Sequence, residues 1–335
     1  MSRLIFRVLL IGLAAAIALA GWLYHFTGQP LTLPSASHDL VIEHGSSLRS
    51  ISQQLVDEKL LAEPWSFMLL VRFSGKAAAL QAGNYRLQQG MTPMDLYRMI
   101  TAGDTVQSSI TLIEGWNFRQ IREALNRHES IRHLSMPMSD AEILQRIGAG
   151  ETHPEGLFFP DSYFFGSGIS DLDILQRAYQ TMQVKLNRAW QGRDHELPYR
   201  TPYEALIMAS IIEKETGRAD ERTMISRVFL NRLKYGMRLQ TDPTVIYGLG
   251  EKFDGNLRKR DLLADTPYNT YTRDGLPPTP IAMPGLAAIE AALHPARGSA
   301  LYFVGKGDGS HAFSATLSEH NRAVARFQLK QRGGN

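Results

Sequence analysis

Two glutamates flanking a lysine, Glu213-Lys214-Glu215, close an apolar run and are the residues whose type and placement best suit catalysis. Residues 205–212 are apolar except for Ser210, so a helix through them is hydrophobic nearly all round and belongs in a protein interior. A carboxyl at the C-terminal end of such a helix is partly desolvated, and the negative end of the helix dipole opposes its ionisation. Both effects favour an acid still protonated near neutral pH, the property a glycosidase general acid requires. The plainer alternative is a solvated helix end whose three charged side chains form surface pairs. At about 100° per residue, Glu213 shares a face with Leu206, Ala209 and Ser210, where small groups leave room for a ligand. Glu215 falls with Glu204, Met208 and Ile211, on a face that starts at an exposed capping residue. Glu213 is therefore the expected acid/base.

The helix that must position it has a clear beginning. Thr201 suits an N-cap, Pro202 the first helical position, and Glu204 the reciprocal half of a capping box, with Gly217 as the stop. Before it the pattern predicts a helix over 139–147, a break at His153-Pro154-Glu155-Gly156, an aromatic-rich stretch over 157–165 and a long amphipathic helix over 171–190. Further upstream one unit occurs three times. Strand-like runs at 40–43, 84–87 and 110–113 are followed by Gly45, Gly90 and Gly115. Apolar residues or proline then fall at the same offsets: Leu48, Ile51 and Leu55; Pro93, Leu96 and Ile100; Phe118, Ile121 and Leu125. Each copy therefore reads as strand, turn and helix.

The N-terminus is apolar over 4–26 save for Arg7 and His25, long enough to span a bilayer. Arg3 and Arg7 precede the span, which puts the N-terminus in the cytoplasm and the rest outside. Ala18-Leu19-Ala20 resembles a signal-peptidase site, but the apolar run continues through Trp22 and Leu23, so an uncleaved anchor is expected. Residues 28–38, with two prolines, read as a linker. Net charge is +3, from 36 Lys and Arg against 33 Asp and Glu, with no basic stripe, which argues against nucleic acid as a partner. The chain has no cysteine, which excludes disulfides, thiolate metal sites and a cysteine nucleophile and suits an oxidising compartment. His294, His311 and His320 lack metal-ligand spacing, so neither metal nor cofactor is expected.

The run 209–216, Ala-Ser-Ile-Ile-Glu-Lys-Glu-Thr, resembles the signature of the YceG-like family of endolytic murein transglycosylases. Other stretches match in order. They are Glu155-Gly156-Leu157-Phe158-Phe159-Pro160-Asp161-Ser162-Tyr163, the segment 236–248 containing Gln240-Thr241-Asp242-Pro243-Thr244, Tyr268-Asn269-Thr270-Tyr271, Gly275-Leu276-Pro277-Pro278, Pro284-Gly285, His294-Pro295-Ala296 and His320-Asn321. The likeness covers about residues 40–330 and the anchor.

That resemblance implies an α+β protein: an anchor (residues 1–28), a linker (29–38), a small LysM-like α/β subdomain (39–105) and a larger α+β catalytic domain (106–331) built on a buried catalytic helix. It implies endolytic cleavage of the MurNAc–GlcNAc bond of nascent strands at the periplasmic face of the inner membrane, with Glu213 catalytic. The acid protonates the leaving oxygen, then takes the proton of the MurNAc 6-hydroxyl as that oxygen attacks C1, leaving a 1,6-anhydro end. The substrate supplies the nucleophile, so one carboxyl suffices where ordinary glycosidases need two. Polar residues of the motif loops, Gln240, Thr241, Asp242 and Asn269, are candidates for glycan hydrogen bonds. Tyr247, Tyr268 and Tyr271 are candidates for stacking, and for each of these residues a structural role is the commoner alternative. Cell-wall synthases are the implied protein partners. Two other readings stay open: a hydrolase of the same bond, and a non-catalytic anchored scaffold that binds glycan and recruits synthases.

Overall fold

The computed structural model describes residues 2–43, 45–75, 79–103, 108–166 and 168–329. It is a mixed α+β protein with an N-terminal apolar helix, and its chain divides into two compact units. One comprises Met1–Ser109 with Phe164–Ile169, the other Ile110–Tyr163 with Ser170–Asn335.

The first unit runs α1 (Ser2–Gly28), β1 (Ser37–Ile42), α2 (Leu48–Asp57), α3 (Trp65–Phe73), β2 (Gly83–Gln88) and α4 (Pro93–Ala102). Strands β1 and β2 pair antiparallel from Ser37 opposite Gln88 to Ile42 opposite Gly83. Alternation turns Leu40, Ile42, Tyr85 and Leu87 into the core, where Ile51, Leu55, Phe67, Leu70, Leu96 and Ile100 close over them. Segment 28–38 is a linker in sequence only. Leu31 is 6% exposed within this core, its N–H donates to the Met91 carbonyl (2.7 Å), and Thr32 N–H donates to that of Leu60 (3.3 Å). Two prolines and small polar residues look like a tether, but the apolar residues between them are built into the fold.

The chain passes between the units within β3 (Ser108–Thr111) and β4 (Ser162–Phe165). The second unit holds α5 (Phe118–Arg127), α6 (Asp140–Ile147), α7 (Asp171–Gln191), α8 (Pro202–Glu215), α9 (Arg222–Lys234), α10 (Asp242–Leu249), α11 (Lys259–Leu263) and α12 (Leu286–Leu293). It ends with the hairpin β5 (Tyr302–Gly305) and β6 (His311–Ser314), then α13 (Leu317–Val324).

All three recurrent sequence units fold as strand, turn and helix. Gly45, Gly90 and Gly115 take φ of 84°, 92° and 77°, the left-handed region that glycine enters without penalty. Each is followed three residues later by a helix of 10 residues, capped by Ser47, Thr92 or Asn117.

Candidate active site

Helix α8 is buried from Ala205 to Ile212 and packs along α12, α9 and α7. Its start follows the expected cap only in part. Thr201 Oγ1 accepts the Glu204 N–H (3.3 Å), but the Glu204 carboxylate reaches back one residue too far for a capping box and accepts from Arg200 N–H (2.6 Å). Its end is set by Thr216, which turns extended (φ −147°, ψ 134°), rather than by a left-handed Gly217.

The two glutamates at this end lie in different surroundings, and Glu215 corrects the face argument. Both are half-buried, but the Glu215 carboxyl is the more deeply set, closed over by Thr241, whose hydroxyl donates to it. Burial raises its pKa, opposed by that hydrogen bond. A helix face that begins at an exposed residue does not stay exposed when a later loop folds over its far end.

Burial also raises the pKa of Glu213, with the Gly285 N–H pulling it down, the charge of Glu114 pushing it up, and Arg222 and Lys214 pulling it down. Its Oε2 accepts from Gly285 N–H (3.1 Å). Gly285 is the N-cap of α12, and a carboxyl 72 residues away takes up its own N–H, one of the donors left free at a helix start. A Cβ at Gly285 would run into the Glu114 carboxylate, so Glu114 and Glu213 meet at the same glycine. The sequence reading had one acid here, and Glu114 is a residue it missed.

Glu213 also lies against Gly115, where Lys214 Nζ donates to the backbone carbonyl (3.2 Å). Gly115 and Lys214 line a cleft of about 1200 Å³ with Asn117, Glu155, Pro243, Tyr247, Phe253 and Tyr268. Glu155, in the cleft lining, is a second acid that the sequence reading did not assign to the site. It is 3% exposed, accepts from Phe118 N–H at the start of α5 (3.1 Å) and from the Tyr247 hydroxyl (3.0 Å), and burial pushes its pKa up to about 7 against both bonds. The adjacent Gly156 (φ 80°) has the Pro280 ring where a Cβ would stand. The Glu155-Gly156 pair at the head of a recognised motif was the available signal.

The other candidates scatter. Tyr247 reaches the cleft, edge-on to Tyr268 at 4.9 Å, with its hydroxyl committed to Glu155. Gln240 is exposed and, unusually for a residue with a side chain, left-handed (φ 51°). Thr241 is 2% exposed and spends its hydroxyl on Glu215. Asp242 opens α10 and accepts from the Tyr271 hydroxyl (2.5 Å). Asn269 corrects the sequence reading: it has no exposed surface, and its Nδ2 donates to the carbonyls of Asp261, Leu262 and Ala264 (3.2, 3.1 and 2.6 Å). Its amide is consumed in holding the end of α11 and has nothing left for a glycan. His311 pairs with Glu221 (2.7 Å), His294 with Asp194 (2.9 Å), and His320 stacks on Tyr302. Among the described residues no group of three or more His, Asp or Glu is placed to hold a metal ion.

The YceG-like family profile matches residues 40–326. A Bacillus subtilis protein named endolytic murein transglycosylase is 34% identical over 305 residues, covering 85% of this chain and 83% of its own length. A Streptococcus pneumoniae protein of the same name is 26% identical over 318 residues, again over 85% of this chain but only 57% of the longer relative. The crystal structure of a yceG-like protein from Listeria monocytogenes superposes with a TM-score of 0.54 at 32% identity, covering 86% of this chain and 98% of that one. Matched over most of its length by the family profile and by a relative of this identity, the chain belongs to the YceG-like family.

Proposed function

We propose that this protein is an endolytic murein transglycosylase that cuts the MurNAc–GlcNAc bond of peptidoglycan strands, with Glu213 as acid and then base. The relatives that carry this name support the activity. The observation that carries the residue assignment is the Glu213 carboxyl: desolvated, raised in pKa, and on a side chain that packs behind Gly115, which with Lys214 lines a cleft large enough for sugars. A protonated Glu213 gives its proton to the leaving GlcNAc oxygen. The resulting carboxylate takes the proton of the MurNAc 6-hydroxyl as that oxygen bonds to C1, and the acid is regenerated. The Gly285 N–H steadies the carboxylate between these steps.

Tyr247, Tyr268 and Asp242 are the side chains we assign to substrate contact, with Gln240 at the exposed edge. Thr241 serves by positioning Glu215. The order β1, α2, α3, β2 with an antiparallel pair supports a LysM-like glycan-binding role for residues 39–105. Helix α1 supports an inner-membrane anchor, since Ile5–Gly28 is apolar and long enough to cross a bilayer, and the basic flank at Arg3 and Arg7 supports a periplasmic site and access to cell-wall synthases.

The Glu114 carboxylate beside Glu213 favours one competing reading, a two-carboxylate hydrolase. Mass spectrometry of purified glycan strands after treatment separates the two. Anhydro-terminated fragments are expected, and reducing ends in their place would refute the transglycosylase.

A further inference from the structure

Helix α3 is apolar on both sides. Its inner face, Ser66, Phe67, Leu70 and Val71, is buried in the core of the first unit. Its outer face carries Trp65 (45% exposed), Met68, Leu69 and Phe73 (64% exposed), with Arg72 as the one charge. A helix hydrophobic all round is normally enclosed, and nothing in the described chain encloses this one.

Its neighbour says what does. The Trp65 ring stacks on Trp22 of α1, with centroids 4.5 Å apart and planes 19° from parallel. Leu23 and Phe26 of α1 pack against the core from which α3 springs. The apolar part of α1, Ile5–Gly28, has 24 residues. At about 1.5 Å per residue it is longer than the roughly 30 Å of bilayer hydrocarbon. About 20 residues counted from Val8, the first after the basic flank, bring the outer hydrocarbon boundary near Thr27, within two turns of Trp22 and Tyr24, residue types that concentrate at that depth. Trp22 lies at that depth, and its ring partner Trp65 is the first residue of α3.

We propose that the outer face of α3 lies in the interfacial layer of the outer leaflet of the membrane that α1 crosses, with phospholipid as its partner. Trp65, Met68, Leu69 and Phe73 sit among the upper acyl chains, and Arg72 extends toward the phosphates. The first unit is then held on the lipid surface by two contacts, one spanning and one lying flat. The inference rests on the reading of α1 as a retained anchor.

The full chain has no cysteine, so Phe73→Cys gives a single labelling site, and Phe73 is exposed enough for its loss to leave the core intact. The variant would carry an environment-sensitive fluorophore and be reconstituted in phosphatidylethanolamine–phosphatidylglycerol vesicles. Lipids brominated near the headgroup end of the acyl chain should quench most of the emission, and aqueous iodide little of it. A chain that floats with the vesicles but is quenched by iodide and spared by brominated lipid overturns the proposal and leaves the anchor standing. So does quenching that appears only between labelled copies, which would give the face to a second copy of this chain. A chain that fails to float overturns the anchor reading and this inference together.

Discussion

Burial at Glu155 should make the second unit lose stability as pH rises through neutrality, and Glu155→Gln should abolish that loss. The carboxyl titrates near 4.5 in the unfolded chain and at about 7 in the folded one. The folded protein therefore holds this proton more tightly. Stability is fully present below about 4.5, declines between there and about 7, and is lowest above. Each pH unit of that interval costs about 1.36 kcal/mol, so the native state at pH 8 gives up about 3 kcal/mol that it has at pH 4. Glutamine has the same shape, keeps an oxygen for the Phe118 N–H and can donate its amide to the Tyr247 oxygen, and it does not titrate. Melting of full-length wild type and variant would be followed from pH 4 to 8. At about 2–4 °C per kcal/mol for a domain of this size, the Tm difference should move by roughly 6–12 °C in favour of the variant as pH rises. Parallel Tm profiles across that range would refute the reasoning, since the folded carboxyl would then titrate as it does unfolded.

Glu213→Gln should cost about 10²- to 10⁴-fold in strand cleavage with the melt unchanged, whereas Glu215→Gln keeps an acceptor for Thr241 and should cost less in rate; the reverse order would move the acid two residues along. Glu114→Gln removes a charge that raises the pKa of Glu213, so the alkaline limb of the kcat/KM profile should shift to lower pH, and an unmoved limb would show that the two carboxyls do not interact. Asn269→Ala strands three carbonyls and should destabilise the fold by about 2–3 kcal/mol in denaturant titration while leaving glycan affinity alone; weakened binding by a protein of normal stability would restore Asn269 to the site. A periplasm-dependent reporter fused after Asn335 should be active, and activity of a cytoplasmic reporter there would reverse the topology.

What the sequence shows about this protein is its local logic. The three strand–turn–helix units, the cap at Thr201 and the buried helix leading to Glu213 each depend on residues within a dozen positions of one another, where side-chain period and glycine conformation act directly. What it conceals is set by the tertiary fold. Glu213 meets Gly285 across 72 positions and Tyr247 meets Glu155 across 92, and no periodicity brings such residues together. Glu114 carries no mark in the sequence, because the glycine it lies against, Gly285, is brought beside it only by the tertiary fold. Glu215 looked exposed and Asn269 available for the same reason: the loops that cover them come from elsewhere. Composition misled at 28–38, where prolines outweighed two leucines, Leu31 and Leu33, that the fold uses.

Leu31 also decides where the protein can be cut. A soluble version begun at residue 39, where the first strand pattern starts, would discard Leu31 together with Leu23 and Phe26, all of which pack into the first unit's core. Losing the burial of Leu31 alone removes about 1.5–3 kcal/mol and leaves an apolar hole facing water, an invitation to aggregate. A version begun at Trp22 keeps all three residues and drops most of the apolar helix. The last turns of α1 are thus part of the domain's own hydrophobic interior, and the frontier between apolar stalk and folded body runs across a continuous helix.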